Sequence, residues 1–278
     1  MTEAIEPIVY RWWLIMSGIG VFNILLWSAL GYRHWRRVSD DPHWARYWRL
    51  QWVLSGVYVL GCASRCFVLR SDIKRFALID SWFASVGVGR TIATFAELAF
   101  VAQWAVLLTL FARVSHSRKA RSYALVLVPL ILLAEVGSWY AVVTTNYAGS
   151  IFEESLWALT AGLMMLGLLM CRRQAPPAFQ RPIIAGLTLG FGYVTYMVTV
   201  DVPSYVRAWM ADEASGKRYL AFSEGLQDLQ RVVVTGRAED WQYAMVWMTL
   251  YFSVAVWISL AMVYWPKEVR FAAPSASD

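Results

Sequence analysis

Residues 87–105 are GVGRTIATFAELAFVAQWA, an apolar stretch of membrane-spanning length that contains both Arg90 and Glu97. A helix needs about 20 mostly apolar residues to cross the ~30 Å hydrocarbon core of a bilayer. Charged side chains are rare at that depth because each costs roughly 2.5–3.5 kcal/mol to insert. The stretch therefore predicts a membrane-spanning helix and, beside it, a polar region inside the protein that its charges face.

The rest of the chain has the composition of a multi-pass membrane protein. Of its 278 residues, 59% are hydrophobic and 16% are charged, whereas a soluble domain is about half apolar and a quarter charged. The apolar blocks predict an all-α bundle of seven transmembrane helices in a single domain, residues 1–270. We place the spans at roughly 11–31, 48–69, 84–111, 123–145, 153–171, 183–203 and 242–265.

The distribution of Lys and Arg predicts the orientation of this bundle. With seven spans, 14 of these residues lie on the side of the membrane that carries segment 32–49, and 9 lie on the other side. Cytoplasmic loops carry the positive excess. We therefore expect the N-terminus outside, the C-terminus in the cytoplasm, and a bacterial inner membrane as the location.

Two of the segments outside the predicted spans carry predictions of their own. The long connection 204–241 is predicted to be an outer-side loop or a surface helix that caps the bundle, because Leu226, Leu229 and Val233 have helical spacing. Residues 271–278 are predicted to be a short flexible tail.

Several classes of function are disfavoured by what the chain lacks. Its three Cys form no disulfide framework. Its three His fall in connecting segments, which argues against haem, di-iron and intramembrane zinc sites, and no metal-ligand set is predicted. The seventh span has no Lys that could hold retinal. The net charge of +6 lies at span ends and does not indicate nucleic acid. The sequence specifies no cofactor.

The third span predicts a polar face turned inward. Arg90, Thr94 and Glu97 share one helical face, and Gly and Ala on the other faces allow close packing of neighbouring helices. Arg90 and Glu97 are separated by about 10.5 Å along the axis, and Arg90 leans toward the N-terminal end, away from Glu97. We therefore expect no direct ion pair, and Glu97 should meet another helix, a ligand or a proton.

Polar residues on the other spans lie mostly in the predicted outer half, whereas the inner halves are apolar. This predicts an outward-facing polar cavity centred on Arg90, Glu97 and Glu135. Structural alternatives are snorkelling arginines, salt bridges to Asp201 or Glu154, and protonated carboxyls bonded between helices. The pair Glu153–Glu154 is also expected to complement the N-terminus of the fifth helix. The predicted ligand-binding residues are Arg65, Arg90, Glu97, Glu135, Tyr140, Glu154 and Asp201.

Three functions remain open from the sequence. The first is binding or moving a small anionic solute or an ion, with arginines holding negative charge and carboxylates carrying protons. The second is a membrane-embedded enzyme acting on a lipid or lipid-linked substrate at the outer leaflet, although no nucleophile motif is present. The third is an accessory subunit of a larger membrane complex. Expected partners are membrane lipids, a small polar or anionic ligand, and either a second copy of the chain or a complex partner, but no nucleic acid.

Overall fold

The computed structural model describes residues 5–35 and 42–265, which form a helical bundle with one small β-sheet at one end. The predicted tail lies outside these residues. The long helices are α1 (Pro7–Trp35), α2 (Pro42–Phe67), α3 (Val86–Val114), α4 (Arg118–Thr144), α5 (Tyr147–Arg172), α6 (Pro177–Ala214) and α8 (Ala238–Tyr264). The short elements are β1 (Arg70–Ser71), β2 (Phe76–Ala77), α7 (Phe222–Asp228) and β3 (Val233–Val234).

Six of the described helices are long and apolar enough to cross a membrane, namely α1, α3, α4, α5, α6 and α8. This confirms the prediction of an all-α, multi-pass membrane protein. Helix α2 has a comparable length but is not in that set. It is less apolar because it contains Gln51 and Arg65 in addition to arginines near its start.

Helices that are adjacent in sequence pack side by side from α1 to α6, and α8 packs against α1, α2 and α3. Helix α6 packs mainly on α5 and is the least buried of the candidate spans. Among the described residues, α6 and α8 therefore share few close backbone contacts. Each of these two helices contains one π-helical turn, at Met197–Asp201 in α6 and at Tyr251–Ala255 in α8. Such turns interrupt the α-helical hydrogen bonding and are frequent at functional sites.

Two segments cover one end of the bundle, which we call the cap end. They are the hairpin 70–77 and the connection 215–237, and we call the connection the cap. Strands β1 and β2 pair antiparallel, and β2 pairs parallel with β3, with Phe76 opposite Val233. Gly225 in α7 lies against the backbone carbonyl of Val143 in α4, an approach that a Cβ atom would prevent. The cap is thus fixed to the helix ends by backbone contacts.

The side chain of Arg75 joins the hairpin, the cap and α4. It is 1% exposed and donates to the carboxylate of Asp228 at 2.9 Å, and to the carbonyls of Asp72 and Val142 at 2.8 Å each. A buried guanidinium with three partners holds its segments together because each unmade bond would leave a desolvated donor.

The structure differs from the prediction in the connection 204–241. Helix α6 continues to Ala214 instead of ending near residue 203, and the cap helix covers Phe222–Asp228. Val233, predicted on the same helix face as Leu226, lies in β3. Three apolar residues at helical spacing are too short a pattern to distinguish a seven-residue helix followed by a strand from a longer helix.

Candidate functional site

Three glutamates from three helices converge on Arg90, and we call these four residues the Arg90 cluster. The Arg90 guanidinium lies 2.8 Å from Glu135 of α4, 3.1 Å from Glu97 of α3 and 3.6 Å from Glu153 of α5. The three glutamates each offer an oxygen within 4.8 Å of the others. The three glutamates lie roughly 9–17 Å from the cap ends of their helices, given a rise of 1.5 Å per residue.

The ion pair between Arg90 and Glu97 corrects the expectation that these two residues would not meet. The direction in which side chains leave a helix opposes the contact, but both side chains are long. Arg90 extends along α3 toward the two glutamates of α4 and α5, and Glu97 leans toward the N-terminus to reach it. Attraction from the neighbouring helices thus overrides the preference within α3.

Glu135 is held more tightly than the other carboxylates of the cluster. It is 3% exposed, accepts two hydrogen bonds from Arg90, and accepts a third from the hydroxyl of Thr94 at 2.5 Å. The indole of Trp139 donates in turn to the Thr94 oxygen at 3.1 Å. Glu97 pairs with Arg90 at 3.1 Å and keeps 14% of its side chain exposed, compared with 3% for Glu135 and 10% for Glu153. Glu97 is therefore the most accessible carboxylate of the Arg90 cluster.

Glu153 was not among the predicted ligand-binding residues, because the fifth helix was expected to begin there. Helix α5 begins six residues earlier at Tyr147, where the Asn146 side chain accepts from the backbone N–H of Ala148. Asn is a preferred N-cap residue, so Asn146 could have indicated from the sequence that the helix begins at Tyr147. Starting the helix at Tyr147 moves Glu153 into its second turn, where it faces Arg90.

Arg65 belongs to a second cluster next to the first one, in the turn between α2 and the hairpin. It donates to Asp72 at 3.1 Å and to the carbonyl of Arg70 at 2.9 Å, and Arg70 donates to Asp72 at 3.0 Å. The Arg70 guanidinium lies on Gly89, where any Cβ atom would overlap it. Arg70 and Asp72 were missed because they follow the end of a span, where charges are ordinary.

The pKa of Asp72 predicts acid sensitivity of this hairpin. Burial alone would raise the pKa, but Arg65, then Arg70 and Arg90, outweigh burial and lower it from 3.8 to about 2. A lowered pKa stabilises the fold above about pH 4, by roughly 2 kcal/mol, and the contribution is lost as the pH falls toward 2.

We expect Asp72→Asn to lower the melting temperature by a constant amount between pH 5 and pH 8. The difference from the wild type should shrink below about pH 4 and vanish near pH 2. Thermal unfolding of both proteins in detergent across this range measures it. A difference that does not depend on pH would contradict the assignment.

Two further predicted residues, Glu154 and Asp201, lie outside the Arg90 cluster on the side of α6. Their carboxylates interact electrostatically with one another, and Tyr196 donates to Asp201 at 3.4 Å. The sequence also allowed salt bridges from the arginines to Glu154 or Asp201. Among the described residues these are not formed, because Arg65 pairs with Asp72 and Arg90 pairs with Glu135. Tyr140 is 46% exposed at the cap end of α4, and among the described residues no hydrogen bond joins it to the Arg90 cluster.

The half of the bundle away from the cap was expected to be apolar, but it contains a network of buried polar side chains. The amide of Gln103 donates to Gln51 at 3.0 Å, and the Gln51 amide donates to the carbonyl of Gln103 at 3.0 Å. The hydroxyl of Ser259 donates to Gln103 at 2.6 Å and lies 3.0 Å from that of Ser55. All four residues are fully buried, so the network joins α2, α3 and α8.

A groove of about 410 Å³ opens at the cap end beside the Arg90 cluster. Its walls include Trp82, Thr91 and Gln230, and also Trp139, which bonds to Thr94. A second cavity of about 540 Å³ lies at the opposite end, next to Arg172 and Arg173. The groove gives the cluster a neighbouring surface that is partly aromatic and partly polar.

The Arg90 cluster consists of three carboxylates and one guanidinium. Carboxylate oxygens are suited to binding protons or hard cations. Compared with known proteins, the chain matches no family model, no curated protein sequence and no solved structure.

Proposed function

We propose that the chain is a seven-helix protein of the bacterial inner membrane that binds an exchangeable proton or a small cation at the Arg90 cluster. The observation that carries the proposal is the ratio of three carboxylates to one guanidinium. Within residues 5–35 and 42–265, Arg90 is the only basic side chain in ion-pair contact with these glutamates. An uncompensated charge of −2 is too costly in a low-dielectric interior. Protons or a cation must therefore balance the cluster.

The same geometry favours a proton or a small cation over the small anionic solute that the sequence left open. Arg90 is already engaged by three carboxylates, and Arg65 and Arg70 share Asp72. An anion would have to displace one of these carboxylates and would increase the negative excess. A cation or proton reduces that excess, so binding and release of a positive charge are the exchange that the cluster supports.

In this proposal Glu97 exchanges the ion and Glu135 fixes the position of Arg90. The assignment rests on their different surroundings: the Glu97 side chain is 14% exposed, whereas the Glu135 side chain is 3% exposed and accepts three hydrogen bonds from Arg90 and Thr94. Helix α2 completes the seven spans, because it packs between α1 and α3. The N-terminus and the cap end then face outward.

Proton flux into proteoliposomes tests the proposal. The protein is reconstituted with a trapped pH-sensitive dye, and a potassium diffusion potential, negative inside, is applied with valinomycin. We expect faster acidification than in protein-free vesicles. We also expect Glu97→Gln to slow it by about tenfold or more, because an amide cannot exchange a proton at neutral pH.

The matched control is Glu224→Gln, which changes an exposed carboxylate of the cap that pairs with Arg218. It should leave the flux unchanged. Proton exchange would be refuted if the wild type acidified no faster than empty vesicles under this potential, with or without sodium on the outside. It would also be refuted if Glu97→Gln kept the full rate.

The groove supports a second candidate, catalysis on a lipid headgroup. Two tryptophans of the groove suit the membrane boundary, and Trp139 connects it to Glu135 through Thr94. Incubating the purified protein with lipid extract and following the lipids by mass spectrometry tests this function. An unchanged lipid profile would exclude it for those lipids.

A further inference from the structure

We propose that the opening between α6 and α8 binds an organic cation, with Glu154 and Asp201 as counter-charges and tyrosine rings as walls. This inference goes beyond the proposed function, because it concerns a second site and a different class of cation. The site lies beside the Arg90 cluster but uses different residues.

The opening follows from how the helices pack. Helix α6 rests mainly on α5, and α8 packs against α1, α2 and α3. The two meet at the cap end, where the hydroxyls of Ser204 and Tyr243 lie 3.5 Å apart. Below that contact, Tyr193 of α6 and Tyr251 of α8 are both half-buried and interact electrostatically. Partial exposure of polar groups inside a helical bundle marks a cleft between α6 and α8.

The charged groups of this cleft are acidic. Glu154 of α5 and Asp201 of α6 are half-buried, and each interacts with the other. Across the described residues, the Glu154 carboxylate forms no hydrogen bond and no ion pair, while the Asp201 carboxylate accepts a hydrogen bond only from Tyr196. Two carboxylates without a basic partner create a negative potential that attracts a cation.

Aromatic rings complete the cleft. Tyr193 and Tyr205 both interact electrostatically with Glu154 and Asp201. The face of a tyrosine ring attracts cations. The chain itself uses this attraction at the edge of the cleft, where the ammonium of Lys217 lies 5.3 Å from the centroid of Tyr147. The ring of Tyr147 is 6.1 Å from that of Tyr205.

These walls fit an organic cation better than a metal ion. A metal ion such as Ca²⁺ requires six to eight oxygen ligands at about 2.3–2.6 Å, whereas the cleft offers two carboxylates and several ring faces. An organic cation has a diffuse charge and apolar substituents, which rings and lipid can surround. The cleft lies along the least buried helix, so an amphipathic cation can enter from the membrane.

Equilibrium binding of radiolabelled tetraphenylphosphonium to the purified protein in detergent tests the proposal. Tetraphenylborate, an anion of the same shape, controls for partition into detergent. We expect saturable binding of the cation at one site per chain and no saturable binding of the anion. Glu154→Gln and Asp201→Asn should each weaken the affinity by about tenfold. Tyr205→Ala should weaken it, whereas Tyr205→Phe should retain it, because the ring face remains.

The exposed carboxylate variant Glu224→Gln is again the control, with unchanged affinity expected, and melting curves confirm that each variant is folded. The inference is overturned if the wild type shows no saturable binding, or if Glu154→Gln and Asp201→Asn bind as the wild type does. It is also overturned if the anion binds equally well. Binding at equilibrium requires no proton flux, so binding without flux would contradict only the proposed function. Flux without binding would contradict only this inference.

Discussion

Replacing Arg90 with alanine is expected to remove most of the folded protein. The substitution leaves Glu97, Glu135 and Glu153 within 4.8 Å of each other with no guanidinium between them. Removing one partner of a buried ion pair typically costs about 3–5 kcal/mol, because the remaining charge stays buried without compensation. Here three carboxylates share one partner, so the loss should lie at the upper end. Size-exclusion chromatography of a fluorescent fusion, before and after heating, measures it.

A rescue experiment separates charge from packing. In the Arg90→Ala background, changing Glu97 and Glu135 to glutamine removes two of the three negative charges at constant volume. We expect the triple variant to recover much of the monodisperse protein that Arg90→Ala loses. If Arg90→Ala were as heat-stable as the wild type, the cluster would be dispensable for folding and the ion-pair account would be wrong.

Gly149→Val is expected to separate α4 from α5. A Cβ atom at Gly149 would lie 2.6 Å from the backbone nitrogen of Ala141 and would overlap the carbonyl of Gly137. Backbone atoms cannot yield as a flexible side chain can, so the helices must move apart. Overpacking typically costs about 1–3 kcal/mol and more where backbone must shift. Glu153 lies one turn further along α5, so its contact with Arg90 should be lost as well.

Gly162→Val provides the matched control for this prediction. Gly162 is in the same helix, and a Cβ atom there would meet nothing within 4 Å. We expect a melting temperature close to that of the wild type for Gly162→Val and a clear decrease for Gly149→Val. Equal melting temperatures for the two variants would show that α4 and α5 are not as closely packed as their glycines indicate.

The bundle was largely predictable because a bilayer imposes a length and a composition on every helix that crosses it. Boundaries were less predictable, since a helix can extend beyond the hydrocarbon region, where its residues no longer have to be apolar. Helix α6 illustrates this, as it continues past Asp201 to Ala214 through Arg207 and Asp212. The cap sheet was not predictable, because two-residue strands carry almost no periodic signal.

Part of the candidate site was predictable for the same reason that the bundle was. Arg90, Glu97 and Glu135 stand out as charges within apolar stretches, and the structure brings these three together. Glu153 and Asp72 do not stand out, because they lie near the ends of apolar stretches. Which charge pairs with which depends on helix rotation and on the close approaches at Gly89 and Gly149. One sequence does not show these directly.

The parallel pairing of β2 with β3 has a consequence for how the protein is made. Phe76 pairs with Val233, and the Arg75 side chain pairs with Asp228, although more than 150 residues separate each pair. A ribosome that has delivered α2 to α6 to the membrane has not yet supplied Arg75 and its hairpin with these partners. Such non-local contacts form slowly. The cap end of the nascent protein therefore stays uncovered until residues 228–234 have been synthesised, and the Arg75 side chain lacks its partner Asp228 until then.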